Sequence, residues 1–386
     1  MPVLNIKRVI VKQAAFFLFL ISFLHHVSQN TITLRLRRVD STMYSFSKSR
    51  AVGFDSLISF VNATFPSNME KVRAFYTWIA VSISYDKALL DVYKLKTPAD
   101  LQGFSSLSTQ HPDTVLKYRK AVCEGFCLLM NQCCERCAIP SKMVIGVTRL
   151  EGVVTDDILH AWNVVKPDSI WSLLDLTWSN GYVDPENHYV KKFSDNFFFT
   201  PPSGFIQNHW PLDAMWQLSY YPLTKNSFYK NTVNDQPVFF NYKDSITSYM
   251  RLKTDTVEYV TFLHYHAADP ENDTYQQQCD RIIHDKMVVY LNLAASSFGE
   301  YQHYAQMYDG KPLNIHVLNQ CLLLLKKPEN YLTLALDYSK NKTFFHTEVR
   351  QNFDKMIAES KGNLRKLRGT LTNYRKLVKT MQPNKK

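Results

Sequence analysis

The chain has 386 residues, 45% of them hydrophobic and 20% charged. That length exceeds what one core usually holds and points to two domains, and the composition excludes wholesale disorder or a fibre. The formal charge of +11 sits at the ends: residues 1–28 hold three Lys/Arg and 361–386 hold nine, with no acid in either, so the body between them is one unit negative. A near-neutral body argues against nucleic acid as its partner, and the basic tail reads first as an ordinary helix docked on the helical domain, with contact to an anionic cell-envelope surface as the alternative.

The first element in chain order is a targeting segment. Lys7, Arg8 and Lys12 precede an apolar run over 14–24 (AAFFLFLISFL). The run is short for a bilayer and right for the core of an export signal. The sequence therefore predicts a signal over 1–28 cut near Ser28, and a protein that is periplasmic, secreted or envelope-associated; the same run also fits an N-terminal membrane anchor. Residues 29–65 carry no clear pattern. A helix is expected from Ser67, where Glu70 completes a capping box and Met69, Val72, Phe75, Tyr76 and Ile79 recur at helical spacing. Residues 95–115, with Pro98, Gly103 and Pro112, read as a loop.

A second helix is expected from about Cys123, with Phe126, Leu129, Met130, Cys133 and Cys137 on one face and Pro140 as its stop. Strands follow over 142–147, 161–165 and 170–174, the last two joined by the turn Lys166-Pro167-Asp168-Ser169. This is an α+β pattern, one helix followed by an antiparallel sheet. Residues 196–225 are rich in aromatics and proline and read as irregular structure. Beyond about 240 the periodicity is helical; Phe353, Ile357, Leu364, Leu367, Leu371, Tyr374 and Val378 line one face of a last helix that Gly362 and Gly369 should weaken. The expected organisation is a core domain over 29–225 and a helical domain over 226–386.

Three short strings carry chemistry: Ala121-Val122-Cys123-Glu124-Gly125-Phe126, His160-Ala161-Trp162-Asn163 and Leu174-Asp175-Leu176-Thr177-Trp178. At a helix start, exposed N–H groups and the positive dipole end favour a thiolate at Cys123, the nucleophile that attacks an amide carbonyl. Gly125 would leave the first turn open to substrate. His160, opening a strand, can take and return the proton. Asp175, ending the neighbouring strand, can fix the imidazole tautomer. Each residue alone has a blander reading, as a core thiol, a structural histidine and a turn cap; together they make a coherent triad. The oxyanion donor is open among the Cys123 backbone N–H and the pocket candidates Trp162, Tyr85 and Trp178.

These strings resemble the transglutaminase-like superfamily, as do 71–79 followed by Tyr85-Asp86, and the stretch 205–211 with Trp216-Gln217-Leu218. That last stretch is similar to bacterial members with an appended region. The resemblance covers roughly 65–220 and implies a papain-like core with Cys123 as nucleophile, His160 as base and Asp175 as orienting acid. It implies a protein or peptide substrate and either hydrolysis or cross-linking, hydrolysis being favoured because water is always at hand. The alternative is a catalytically silent scaffolding or binding module of the same fold. No acid cluster resembles a calcium loop, and no second C-x-x-C accompanies Cys134-Glu135-Arg136-Cys137, so neither metal nor cofactor is expected. Cys127, Cys133, Cys134 and Cys137 read as small core-filling residues.

Overall fold

A computed structural model of the protein describes residues 33–48, 53–95 and 109–381, except 235, 313 and 341. The export signal or anchor expected over 1–28, most of the loop expected over 95–115 and the last five residues of the basic tail lie outside the described residues. Among the described residues no helix is long and apolar enough to cross a membrane. The chain forms two compact units that divide between Asp244 and Ser245.

In the first unit, the helix Asn68–Ser82 starts at the full capping box of Ser67 and Glu70. It is buried almost all round, from Val72 through Ala80, so it is a core helix rather than an amphipathic one. Arg73 is 2% exposed. Its guanidinium holds both Asp40 oxygens at 2.7 Å, reaches Asp195 at 2.5 Å and lies 4.6 Å from the centre of the Phe198 ring. Asp40 belongs to a helix over 33–47, which with Phe54–Thr64 fills the stretch that showed no pattern. That first helix buries only Val39 and Met43, too few apolar residues for a periodic signal. Pro112, read as a breaker, instead starts the helix Pro112–Tyr118; at a first helical position its missing N–H costs nothing.

The helix Cys123–Glu135 follows and packs on a five-stranded antiparallel sheet. The strand order is Phe198–Thr200, Ser172–Leu174, Val153–Val165, Ser141–Leu150, His209–Pro211. The central hairpin is longer than expected and turns at Glu151 and Gly152, both at positive φ (50° and 85°), the backbone a tight hairpin demands. Both edge strands come from the region expected to be irregular. At three residues each they are too short for an alternating pattern to show. Lys225–Lys230 stays with this unit, since Phe228 is buried beneath the Arg149 guanidinium at 4.3 Å.

Pairing register brings the chemistry together. Gly146 sits opposite both His160 and Pro211, Thr148 opposite His209, and Asn163 opposite Leu174, one residue before Asp175. A Cβ at Gly146 would strike the Trp162 ring and the Trp210 carbonyl, so only glycine lets the central strands close over that indole.

The second unit is helical: Thr254–Ala268, Asp273–Gln306, Ile315–Ser339 and Thr347–Met381. The last helix runs unbroken through Gly362 and Gly369 despite the weakening expected there. Each glycine costs about 1 kcal/mol relative to alanine, while Phe353, Leu364, Leu367, Leu371 and Val378 are all buried, each worth roughly 1.5–3 kcal/mol.

Candidate active site

Cys123 opens its helix beside a short parallel pair in which Tyr85 lies opposite Ala121. The residue before the helix, Val122, supplies no side-chain cap, so the first-turn N–H groups are not taken up by a capping oxygen. The Val122 N–H itself donates to Gln110 Oε1 at 3.0 Å. Gly125 serves a different purpose from the one expected: it is buried, and a Cβ there would collide with Gln110 and come within 2.9 Å of Ala121 and 3.0 Å of Val115. It admits the preceding turn, not a substrate.

His160 Nε2 is 2.8 Å from Asp175 Oδ2. Asp175 is fully buried and caps the short helix Leu176–Asn180, its Oδ1 accepting the Thr177 and Trp178 N–H groups at 2.7 and 3.1 Å. Its carboxylate orientation is therefore fixed by backbone. Burial alone would raise the Asp175 pKa, but the charge and hydrogen bond of His160, then those of His209, hold it well below the usual carboxylate range. Burial would likewise lower His160; the Asp175 charge and bond outweigh it, a hydrogen bond and charge from Cys123 add to them, and the pKa stands at about 10. His160 is thus an imidazolium at neutral pH, with the Cys123 sulfur on one side and the Asp175 carboxylate on the other.

His209 was not singled out from sequence. Its Nε2 lies 3.1 Å from the same Asp175 Oδ2 and its Nδ1 2.6 Å from Asn208 Oδ1. It is fully buried among Phe205, Trp178 and Trp162, at ring separations of 4.1, 4.5 and 5.1 Å. Here burial prevails over the Asp175 attraction and the pKa is lowered. One carboxylate oxygen thus faces two imidazoles, one with its pKa raised and one with it lowered. The only sequence signal was position: His209 falls in the family-like stretch, on what proves to be the edge strand beside the hairpin.

The pocket candidates are placed as follows. Trp162 is fully buried, its ring 6.2 Å from His160, and its indole N–H has no partner among the described residues. Trp178 is half-buried with its ring 5.9 Å from His160. Tyr85 stacks toward Tyr189 at 5.7 Å; burial, then the nearby Cys123 and Asp175 charges, push its hydroxyl pKa up. Nitrogen and oxygen ligand atoms of His160, Asp175 and His209 lie within 4.8 Å of one another, a donor set that would also suit a divalent cation. Both Nε2 atoms, however, already face Asp175 Oδ2 at hydrogen-bond distance, which makes the group a proton-holding cluster. All seven cysteines are free. Burial pushes the Cys127 and Cys133 thiols well up and Cys134 to about 12, while Cys137 is half-buried against Asn62 at 3.5 Å. A separate cavity of about 590 Å³ beside Arg149 and Gln217 is lined by none of Cys123, His160 or Asp175.

A helix opening on cysteine, packed on an antiparallel sheet that carries a histidine–aspartate pair, is the transglutaminase-like fold. Residues 59–176 match the Transglutaminase-like superfamily model. It is 27% identical over 221 residues to kyphoscoliosis peptidase of Homo sapiens, covering 55% of this chain and 32% of that protein. It is 22% identical over 229 residues to Hillarin of Drosophila melanogaster (55% and 26%). It is 21% identical over 214 residues to the Lim and transglutaminase domain protein ltd-1 of Caenorhabditis elegans (51% and 28%). The chain thus spans about a third or less of these relatives' length, and the three named are animal proteins that do not bear on the bacterial type read from 205–218. A solved structure described as "Crystal structure of a TGase" aligns at 23% identity and a TM-score of 0.26 over 41% of each chain.

Proposed function

We propose that the first unit is a thiol enzyme acting on amide bonds of a protein or peptide, with Cys123 as nucleophile, His160 as acid and base, and Asp175 as the residue that orients and charges His160. The observation that carries the reading is the 2.8 Å contact of His160 Nε2 with the buried, backbone-held Asp175 carboxylate; with Cys123 beside it, this pairing raises the His160 pKa and supplies the positive charge that a thiolate partner requires. The Cys123 thiolate adds to the amide carbonyl carbon, and the oxyanion forms beside the uncapped first-turn N–H groups. The indole N–H of Trp162 is a second donor for it. The tetrahedral adduct collapses as His160 gives its proton to the departing amine, leaving a thioester. Neutral His160 then takes a proton from water as its oxygen attacks the thioester, and the acid and Cys123 are released. Hydrolysis is preferred to transfer because water is the acceptor present everywhere, and the word peptidase in the name of the human relative agrees with it.

His209 is a positioning residue in this scheme. Its Nε2 bonds the Asp175 oxygen that His160 uses, and so restricts the carboxylate. Profiling on a peptide library tests the whole reading. Wild-type protein should accumulate an acyl-enzyme adduct on Cys123 in intact-mass spectra and cleave a subset of peptides, and Cys123→Ala should do neither. Folded wild-type protein that forms no adduct with any peptide would favour a silent binding module.

A further inference from the structure

The last helix holds an uneven surface that the thiol chemistry does not use. Its half from Lys361 to Met381 carries Lys361, Arg365, Lys366, Arg368, Arg375, Lys376 and Lys379 and no acid, and all seven are exposed. At 100° per residue, Lys361, Arg365, Arg368, Arg375, Lys376 and Lys379 fall within an arc of about 100°, and the buried Leu364, Leu367, Leu371 and Val378 occupy the adjoining arc, its centre about 100° round the helix. The stripe runs for about 27 Å at 1.5 Å per residue.

Neighbouring elements do not neutralise it. Arg368 pairs with Glu329 at 3.0 Å, and Glu300 is engaged by Lys327 at 2.8 Å. The other five stripe cations form no ion pair among the described residues. Six like charges on one edge repel one another and cost stability unless an anion faces them.

We infer that this edge docks on the anionic surface of a phospholipid bilayer. All six stripe cations are exposed, and Gly362 and Gly369 flank the stripe without a side chain, which leaves room for an extended surface to approach the cations together. No aromatic side chain lies on the stripe to stack on exposed bases, which disfavours a single-stranded nucleic acid. The apolar face is already buried in the bundle, so contact is by charge alone and must be salt-sensitive.

Vesicle co-sedimentation of the full chain tests this, independently of any enzyme activity. Vesicles of phosphatidylcholine with about 30 mol% phosphatidylserine should bind the protein at ~0.1 M salt and release it at ~0.5 M. Vesicles of phosphatidylcholine alone should not bind. The variant Arg375→Gln/Lys376→Gln/Lys379→Gln should bind about a hundredfold more weakly. Lys355→Gln, an exposed cation off the stripe, should bind as wild type, and circular dichroism should show both variants folded. Equal binding to both vesicle types, or a triple variant that binds as wild type, would overturn the inference. So would binding to a DNA duplex of about 20 base pairs with none to the vesicles.

Discussion

The two ends of the Cys123–Glu135 helix bear the same residue type in opposite circumstances. Cys123 stands at the N-terminal end, half-exposed, beside a cationic histidine. Cys133 and Cys134, near the other end, are buried and their thiols are pushed up by that burial. On the proposed function, helix direction and solvent access, not the thiol itself, separate the nucleophile from the packing cysteines. A string such as Cys134-Glu135-Arg136-Cys137 therefore says little until its place on the helix is known.

The largest break in this contrast is Cys123→Ala, which should remove acyl-enzyme formation and peptide cleavage entirely while leaving the thermal midpoint nearly unchanged. Asp175→Asn comes next: it should cut turnover by roughly 10³–10⁴-fold, because the histidine loses both its orientation and its charge partner. Arg73→Ala should destabilise the first unit by about 3 kcal/mol in denaturant unfolding, since it removes the buried guanidinium that packs on Phe198 and leaves the half-buried Asp40 carboxylate without its cation.

His209→Phe should lower turnover by about 10–100-fold. Because the His209 hydrogen bond is one of the forces holding Asp175 down, the acid limb of the pH–rate profile should also move to higher pH; a purely structural role would leave that limb in place. The pH dependence of stability has a defined sign. The His160 pKa is raised from 6.5 to about 10 in the folded chain, so its contribution is complete below about 6.5 and is lost as pH rises through about 10. Asp175, shifted the other way, contributes above about 3.9 and loses its effect as pH falls below that. The smallest effect belongs to the packing end, where Cys134→Ala should cost about 1 kcal/mol of stability and no activity.

Much of this was legible in the sequence, for definite reasons. The capping box at Ser67, the helix start at Cys123 and the hairpin strands rest on local chemistry that short windows contain. The family-like strings carried Cys123, His160 and Asp175, and sheet register brings the last two together. What the sequence hid depends on distant partners. The role of His209 follows from its pairing with Thr148, and a three-residue edge strand gives no alternation to read. The need for glycine at position 125 comes from Gln110, fifteen residues earlier. The helix over 33–47 is held by a polar contact, Asp40 with Arg73, which a hydrophobic pattern does not register.

The most direct measurement is site-resolved alkylation of the folded protein by iodoacetamide, read by peptide mass spectrometry across pH. Cys123 should label at least about tenfold faster than Cys137 at neutral pH, and Asp175→Asn should abolish that advantage. Equal rates at the two positions, unchanged by Asp175→Asn, would contradict the charged Cys123–His160 pair on which the account stands.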